Sequence, residues 1–328
     1  MSTNTTGDTM DFAGAADVVA RMRGEIARAL IGQPQAIDHV LVALIAAGHV
    51  LVEGVPGMGK TLLVRALART FGGRFARIQF TPDLMPSDVT GHALYDLRTQ
   101  EFKIRKGPVF THLLLADEIN RAPAKTQSAL LEAMQEQQVS IEGQPFAMDR
   151  PFMVLATQNP IEQEGTYPLP EAQLDRFLLK VLIDYPRVED ERALVRQVTE
   201  NRSGDSLQVD DLATVIAPEQ VTQLQQVAAR IAVDSAVLDY AVDIVRATRE
   251  HGGISIGAGP RGGIALVRAA RARALLDGRD FVTPDDVKDI ALPALRHRIA
   301  LAPELDMEGL GVDAVLNRVL AGVNAPRR

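Results

Sequence analysis

A chain of 328 residues has room for one large or two ordinary domains, and its 46% hydrophobic content suits a packed core. It contains no cysteine, which excludes disulfides, thiolate zinc sites and cysteine nucleophiles and fits a reducing compartment. The formal net charge of −7, from 35 basic and 42 acidic side chains, argues against a protein built to bind nucleic acid, whose phosphates select basic surfaces.

The N-terminal segment Met1-Ser2-Thr3-Asn4-Thr5-Thr6-Gly7-Asp8 is polar and lacks the basic and apolar regions of a signal peptide, so a cytoplasmic protein is expected. Residues 1–16 are expected to be disordered. The longest apolar stretch, Val40 to Val52, is interrupted by Gly48 and His49 and is too short to cross a bilayer. Its end, Val50 to Glu53, reads as a buried strand, and Leu62 to Ala68 reads as a helix.

Between strand and helix, Gly54-Val55-Pro56-Gly57-Met58-Gly59-Lys60-Thr61 matches the phosphate-binding loop G-x-x-x-x-G-K-[ST]. Glycines let successive backbone N–H groups turn toward phosphate oxygens at a helix N-terminus. Lys60 is placed to reach the outer phosphates and Thr61 to ligate Mg²⁺, so residues 54–61 and the adjoining Leu62 are expected to hold ATP.

Further short apolar runs follow at Phe75 to Gln79, Leu113 to Ala116, Phe152 to Ala156 and Phe177 to Ile183. They alternate with helical segments, which predicts a parallel α/β sheet between helices. The third run ends in Asp117-Glu118, the pattern of a metal carboxylate followed by a general base. Asp117 is expected to hold Mg²⁺ through water and Glu118 to deprotonate the attacking water. Asn159 follows the fourth run, where an amide could bond both γ-phosphate and lytic water; Asn159-Pro160 is equally ordinary turn chemistry.

Two segments lie outside a minimal sheet. Tyr95 to Lys106 alternates polar and apolar residues around a polar turn, and Val139 to Met148 does so again, predicting hairpins near 91–106 and 138–150. Beyond Pro186 no strand pattern remains. Helices are expected at Gln220 to Ile231, Ser235 to Glu250 and Pro260 to Asp277, with Thr283-Pro284-Asp285-Asp286 as a capping signature before Val287. In the third of these, Ile264, Val267, Ala270 and Ala274 are expected to form the apolar face, leaving Arg268, Arg271 and Arg273 on a solvated or subunit-facing surface. Residues 201–206 read as a loop. The six histidines are scattered without metal-ligand spacing.

Leu115 to Pro123, Lys125 to Met134, Ile78 to Leu84, Ala156 to Pro160 and Tyr167 to Phe177 together resemble the MoxR family of AAA+ ATPases, with magnesium-chelatase ATPase subunits and MCM helicases as wider relatives. The blocks run in the family's order from about residue 31 to 186, with a weaker match onward. The resemblance implies an AAA+ P-loop core over residues 17–186 and an all-α lid over 187–328. It also implies an ATP- and Mg²⁺-dependent ATPase working as a ring oligomer, expected to be a hexamer.

Carried over residue by residue, Asn159 resembles sensor 1 and Arg176 the arginine finger that reaches a neighbour's ATP; a surface ion pair of Arg176 with Asp175 or Glu171 is the alternative. Arg261 resembles sensor 2, although Gly259 stands where a serine is common. Ile31-Gly32-Gln33 resembles the motif beside adenine. By the same resemblance the hairpins would couple nucleotide state to a client protein, with a separate von Willebrand factor A domain protein as partner; solvent-facing decoration is the other reading. A helicase-like or chelatase-like motor and a slow nucleotide-switched scaffold remain as alternative functions.

Overall fold

The computed structural model describes residues 10–55, 57–159, 165–199 and 209–326. The expected loop at 201–206 lies outside them. Helix α1 (Phe12–Ala29) starts at Asp11, whose carboxylate accepts from the Gly14 N–H at 2.8 Å. It buries Ala15, Val19, Met22 and Ile26. Disorder is therefore not found at 12–16, because a side-chain cap and a buried alanine hold that turn; residues 1–9 lie outside the described part.

Next come α2 (Pro34–Ile45), β1 (Val50–Gly54), α3 (Lys60–Thr70), β2 (Phe75–Gln79), the short α4 (Pro86–Thr90) and the hairpin of β3 (Gly91–Asp96) and β4 (Glu101–Lys106). They are followed by β5 (Leu113–Asp117), α5 (Ala124–Glu136), a second hairpin of β6 (Gln138–Ile141) and β7 (Gln144–Ala147), β8 (Met153–Gln158), α6 (Glu171–Leu174) and β9 (Leu179–Ile183). The five runs expected as core strands are β1, β2, β5, β8 and β9. They form one parallel sheet in the order β2-β5-β8-β1-β9. Both faces are covered, which is why the central strands read as unbroken apolar runs. On β5, Leu113 and Leu115 join the core made with α1, α2 and α3, whereas Leu114 and Ala116 join the one made with α5 and the second hairpin.

The part of the chain beyond β9 comprises α7 (Val188–Thr199), α8 (Pro218–Ala229), α9 (Ser235–Glu250), β10 (Ile254–Ile256), α10 (Pro260–Leu276), α11 (Pro284–Leu295), β11 (Ala300–Leu301), α12 (Pro303–Met307) and α13 (Val312–Gly322). Among its described residues the regular elements are helices except for the ribbon of β10 and β11, two strands too short to leave an alternation in the sequence. Thr283 caps α11 as expected, exchanging hydrogen bonds with Asp286. The first core continues from α1 and α2 into α8 to α11 through Leu224, Ile244, Leu266 and Ile290, so apolar packing holds the lid to the core.

The face of α10 matches the expectation in part: Ala270 and Ala274 are buried and Val267 packs on the core, but Ile264 is 58% exposed, and Ala265, Leu266, Ala269 and Ala272 are buried beside them. The inward contacts belong to arginines: Arg268 donates to the Ala46 and Ala47 carbonyls at 2.5 and 3.1 Å, and Arg273 pairs with Asp38 at 3.4 Å. Small alanines let α10 approach α2 closely, and the long arginine stems reach past them to the open carbonyls at the α2 C-terminus.

His49, at the entry to β1, is buried between layers. Its Nδ1 accepts from the Val154 N–H at 3.0 Å, so Nε2–H donates to the Met134 carbonyl at 3.2 Å. Burial lowers its pKa to about 4. The folded value lies below the unfolded one, so this group's stabilisation is complete above about pH 6.5 and is lost as pH falls toward 4. Between pH 7.5 and 5 it is expected to cost about 2 kcal/mol of unfolding free energy. Urea titrations should show at least that loss, since His39 and His297 are depressed in the same direction, and His49→Gln should reduce the loss by about 2 kcal/mol rather than abolish it.

Candidate active site

Backbone conformation builds the phosphate loop. Gly59 is the N-cap of α3 at φ +79°, and a Cβ there would approach Leu30 Cδ1 to 2.9 Å. Lys60 opens the helix and its Nζ donates to the Gly54 carbonyl at 2.5 Å. Burial draws the Lys60 pKa below the usual lysine value, against the opposing pull of Asp117, Glu118 and Glu53. Met58 packs on the core, Leu62 is buried and Val55 is half-buried. Pro56 lies outside the described residues.

The loop borders a cleft of about 490 Å³ at the C-terminal ends of β1, β5 and β8, where Lys60 and Thr61 face Asp117, Glu118 and Asn159. Adjacent residues in a strand point to opposite sides, yet both acids line this cleft. The strand ends at Asp117 and Glu118 turns left-handed, at φ 55° and ψ 50°. Thr157 fixes the corner: its Oγ1 donates to Asp117 Oδ1 at 2.5 Å and accepts from the Glu118 N–H at 2.9 Å.

Besides Thr157, three cleft residues carry no role in the sequence reading. Gln79 donates to Glu118 Oε2 at 2.7 Å, Arg77 donates to Asp117 Oδ2 at 2.6 Å, and Arg65 lines the wall. On β2, exposed Arg77 and Gln79 flank buried Ile78, and that polar alternation was the available signal.

Thr61 and Asp117 offer oxygen ligands only, and no cluster of three or more Asp, Glu, His or Cys able to hold a metal exists among the described residues. That donor set fits Mg²⁺, which takes one or two protein oxygens and completes its shell with phosphates and water. Ile31, Gly32 and Gln33 do not line the cleft, although the preceding Leu30 lies against Gly59 of the loop. At Gly32, φ +77°, a Cβ would meet Asp190 Cβ at 2.7 Å, and Gln33 Nε2 donates to the Asp184 carbonyl at 2.6 Å.

Arg176 and Arg261 are elsewhere. They share a second cleft of about 370 Å³ with Asp175, Arg268 and Arg298, and no lining residue is common to both clefts. Arg176 makes no ion pair with Asp175 or Glu171 in this structure. Asp175 instead binds buried Arg298 at 2.8 Å and faces Arg261 at 3.9 Å. Arg298 also donates to the Phe177 carbonyl at 2.6 Å and to the Ala294 carbonyl, tying the lid to the segment that carries Arg176.

A P-loop after β1, a carboxylate pair closing β5 and a helical lid on a β2-β5-β8-β1-β9 sheet define an AAA+ ATPase. The family model "ATPase family associated with various cellular activities (AAA)" matches residues 49–179, and the AAA lid domain matches 246–319. The chain is 45% identical to Chaperone MoxR1 of Mycobacterium tuberculosis, over 98% of this chain and 86% of that one. It is 47% identical to the uncharacterised YeaC of Bacillus subtilis over 92% of each, and 35% identical to Protein MoxR of Methylorubrum extorquens over 94% of each. A crystal structure of a candidate ATPase from Cytophaga hutchinsonii superposes with a TM-score of 0.87 at 39% identity, covering 95% of this chain and 96% of that one. The chain belongs to the MoxR family of AAA+ ATPases.

Proposed function

We propose that this chain hydrolyses ATP with Mg²⁺ at sites completed between neighbouring subunits of a hexameric ring, and uses the cycle to remodel or mature a client protein in the cytoplasm. The observation that carries the reading is the separation of the two clefts. Arg176 and Arg261 share no lining residue with the Lys60–Glu118 cleft, so arginines that stabilise phosphoryl charge serve a cleft on the next copy. Such head-to-tail contacts close into a ring. Each composite site then has distinct parts. Lys60 and the loop N–H groups bind phosphates, Thr61 and Asp117 hold Mg²⁺, and Glu118 takes the proton of the attacking water. Asn159 orients that water, and the neighbour's arginines meet the transferring phosphoryl group. The bound Mg²⁺ neutralises charge on the β- and γ-phosphates. Sedimentation with ATP, ADP and no nucleotide tests the assembly; a monomer under all three conditions would refute it.

A client role is supported by the first hairpin and by the relative named as a chaperone. Tyr95 and Phe102 pair across β3 and β4 with ring centroids 5.1 Å apart, and Phe102 is 72% and Leu97 85% exposed. Ile104, two residues along β4, packs on the core instead. In the second hairpin Val139 and Ile141 are buried and Phe146 packs on the same core, so the exposed apolar tip belongs to the first hairpin alone. Tyr95→Ala with Phe102→Ala is expected to retain basal ATPase and oligomer size and to lose at least about 80% of client capture or partner stimulation. The capture assay uses a hydrolysis-blocked ring to retain partners, including a separate von Willebrand factor A domain protein. Unchanged capture would return the hairpin to decoration. The helicase-like reading predicts DNA-stimulated, salt-sensitive ATPase, and the scaffold reading predicts tight ATP binding with negligible turnover.

A further inference from the structure

The carboxylate assigned to Mg²⁺ is already engaged on both oxygens. Thr157 Oγ1 donates to Oδ1 of Asp117 at 2.5 Å. Oδ2 accepts twice from Arg77, from its terminal nitrogen at 2.6 Å and from Nε at 3.2 Å. The same terminal nitrogen donates to Gln79 Oε1 at 3.2 Å, while Gln79 Nε2 donates to Glu118. Residues 77 and 79, two apart on β2, therefore lie on one face of the strand and engage both acids. Arg121, 3.2 Å from Glu118, supplies the second positive charge. Two carboxylates forced side by side by the Glu118 corner are each matched by a guanidinium.

We propose that Arg77 is the resident counter-cation of Asp117, which Mg²⁺ must displace when it enters with nucleotide, so that Arg77 sets the Mg²⁺ concentration at which the site closes on ATP. The inference rests on Asp117 being the Mg²⁺ carboxylate. Guanidinium and metal compete for one negative charge: the charge-assisted bonds to Oδ2 have to break or be shared before that oxygen can accept a metal or its water. The pair suits a displaceable role. Arg77 is about half exposed, with 49% of its side chain accessible against 17% for Asp117, so it can swing into solvent without leaving a buried charge unpaired. An arginine buried like Arg298 could not do so. Displacement would also detach Arg77 from Gln79 and leave the Gln79 amide to Glu118 alone.

The experiment measures binding, not turnover. Affinity for a fluorescent ATP analogue is titrated against Mg²⁺ from EDTA to millimolar levels in the full-length protein, for wild type, Arg77→Gln, Arg77→Lys and Asp117→Asn, with Mn²⁺ occupancy followed by electron paramagnetic resonance. Arg77→Gln is expected to lower the Mg²⁺ midpoint and the Mn²⁺ dissociation constant roughly three- to tenfold, with affinity in EDTA retained. Arg77→Lys is expected to stay within about twofold of wild type, because the charge remains. Asp117→Asn is expected to abolish the Mg²⁺-dependent gain. An unchanged midpoint in Arg77→Gln beside a lost gain in Asp117→Asn overturns the proposal and leaves the metal assignment standing. Equal weakening of nucleotide in EDTA and in Mg²⁺ also overturns it, making Arg77 a phosphate ligand. A wild-type Mg²⁺ response in Asp117→Asn removes the metal assignment and the proposal together. Because Arg77 lies exposed on an edge strand, Arg77→Gln is expected to fold; if it does not, Arg77→Ala, which also removes the charge, is titrated instead, with the same deciding outcomes.

Discussion

Glu118→Gln is expected to bind ATP and Mg²⁺ normally and to lose turnover by about 10² to 10⁴. The substitution keeps size and shape, so the left-handed corner and the Thr157 bond to the Glu118 N–H persist, and Lys60, Thr61 and Asp117 remain in the cleft. An amide cannot accept the proton of an attacking water, and only that step is removed. Lys60→Ala acts earlier. It deletes the ammonium that donates to the Gly54 carbonyl and that the proposed site uses on the phosphates, so nucleotide affinity should fall at least about tenfold. Calorimetric titration beside single-turnover hydrolysis separates the two. Wild-type hydrolysis by Glu118→Gln would remove Glu118 as the base, and unaltered affinity in Lys60→Ala would remove the phosphate contact.

Arg176→Ala and Glu118→Gln are each expected to be nearly inactive alone and to regain activity when mixed. An interface that joins the intact Glu118 of an Arg176→Ala subunit to the intact Arg176 of a Glu118→Gln subunit contains every part of the site. Random equimolar mixing places that arrangement at about a quarter of interfaces, which sets the ceiling on recovery if sites act independently. Since Arg261 shares the cleft of Arg176, Arg261→Ala should be rescued by Glu118→Gln in the same way. ATPase is measured after co-expression, with co-assembly verified. Mixed rings without recovered activity would place both arginines outside a neighbour's site. Recovery for Arg176→Ala without recovery for Arg261→Ala would give the lid arginine a role within its own subunit.

The sequence by itself determined the sheet and the phosphate loop. Both depend on local chemistry: doubly buried parallel strands must be continuously apolar, and the loop needs glycines, Lys60 and Thr61 at fixed spacing. The capping residues of α11 are equally local, and Thr283 and Asp286 occupy their expected places. The adjacency of Asp117 and Glu118 marked the acids, but their shared cleft depends on a left-handed corner that a glutamate rarely adopts and that Thr157, forty residues away, holds in place.

Tertiary structure decided the remainder. Gln79 and Arg77 look like ordinary edge-strand polar residues until β2 pairs with β5 and sets them against the acids. The inward arginines of α10 could not be read from helical periodicity, because periodicity assigns apolar residues to the core and is blind to an arginine whose stem packs while its head reaches carbonyls on α2. Ile104 and Phe102, two apart on β4 and so on one side of the hairpin, have opposite fates because Ile104 lies nearer the base, where that side packs on the core, and Phe102 nearer the tip. That Arg176 and Arg261 line a different cleft from the P-loop is a fact of three-dimensional arrangement. Motif order along a chain carries no measure of it, because a parallel sheet and a docked lid bring distant segments together and hold near ones apart.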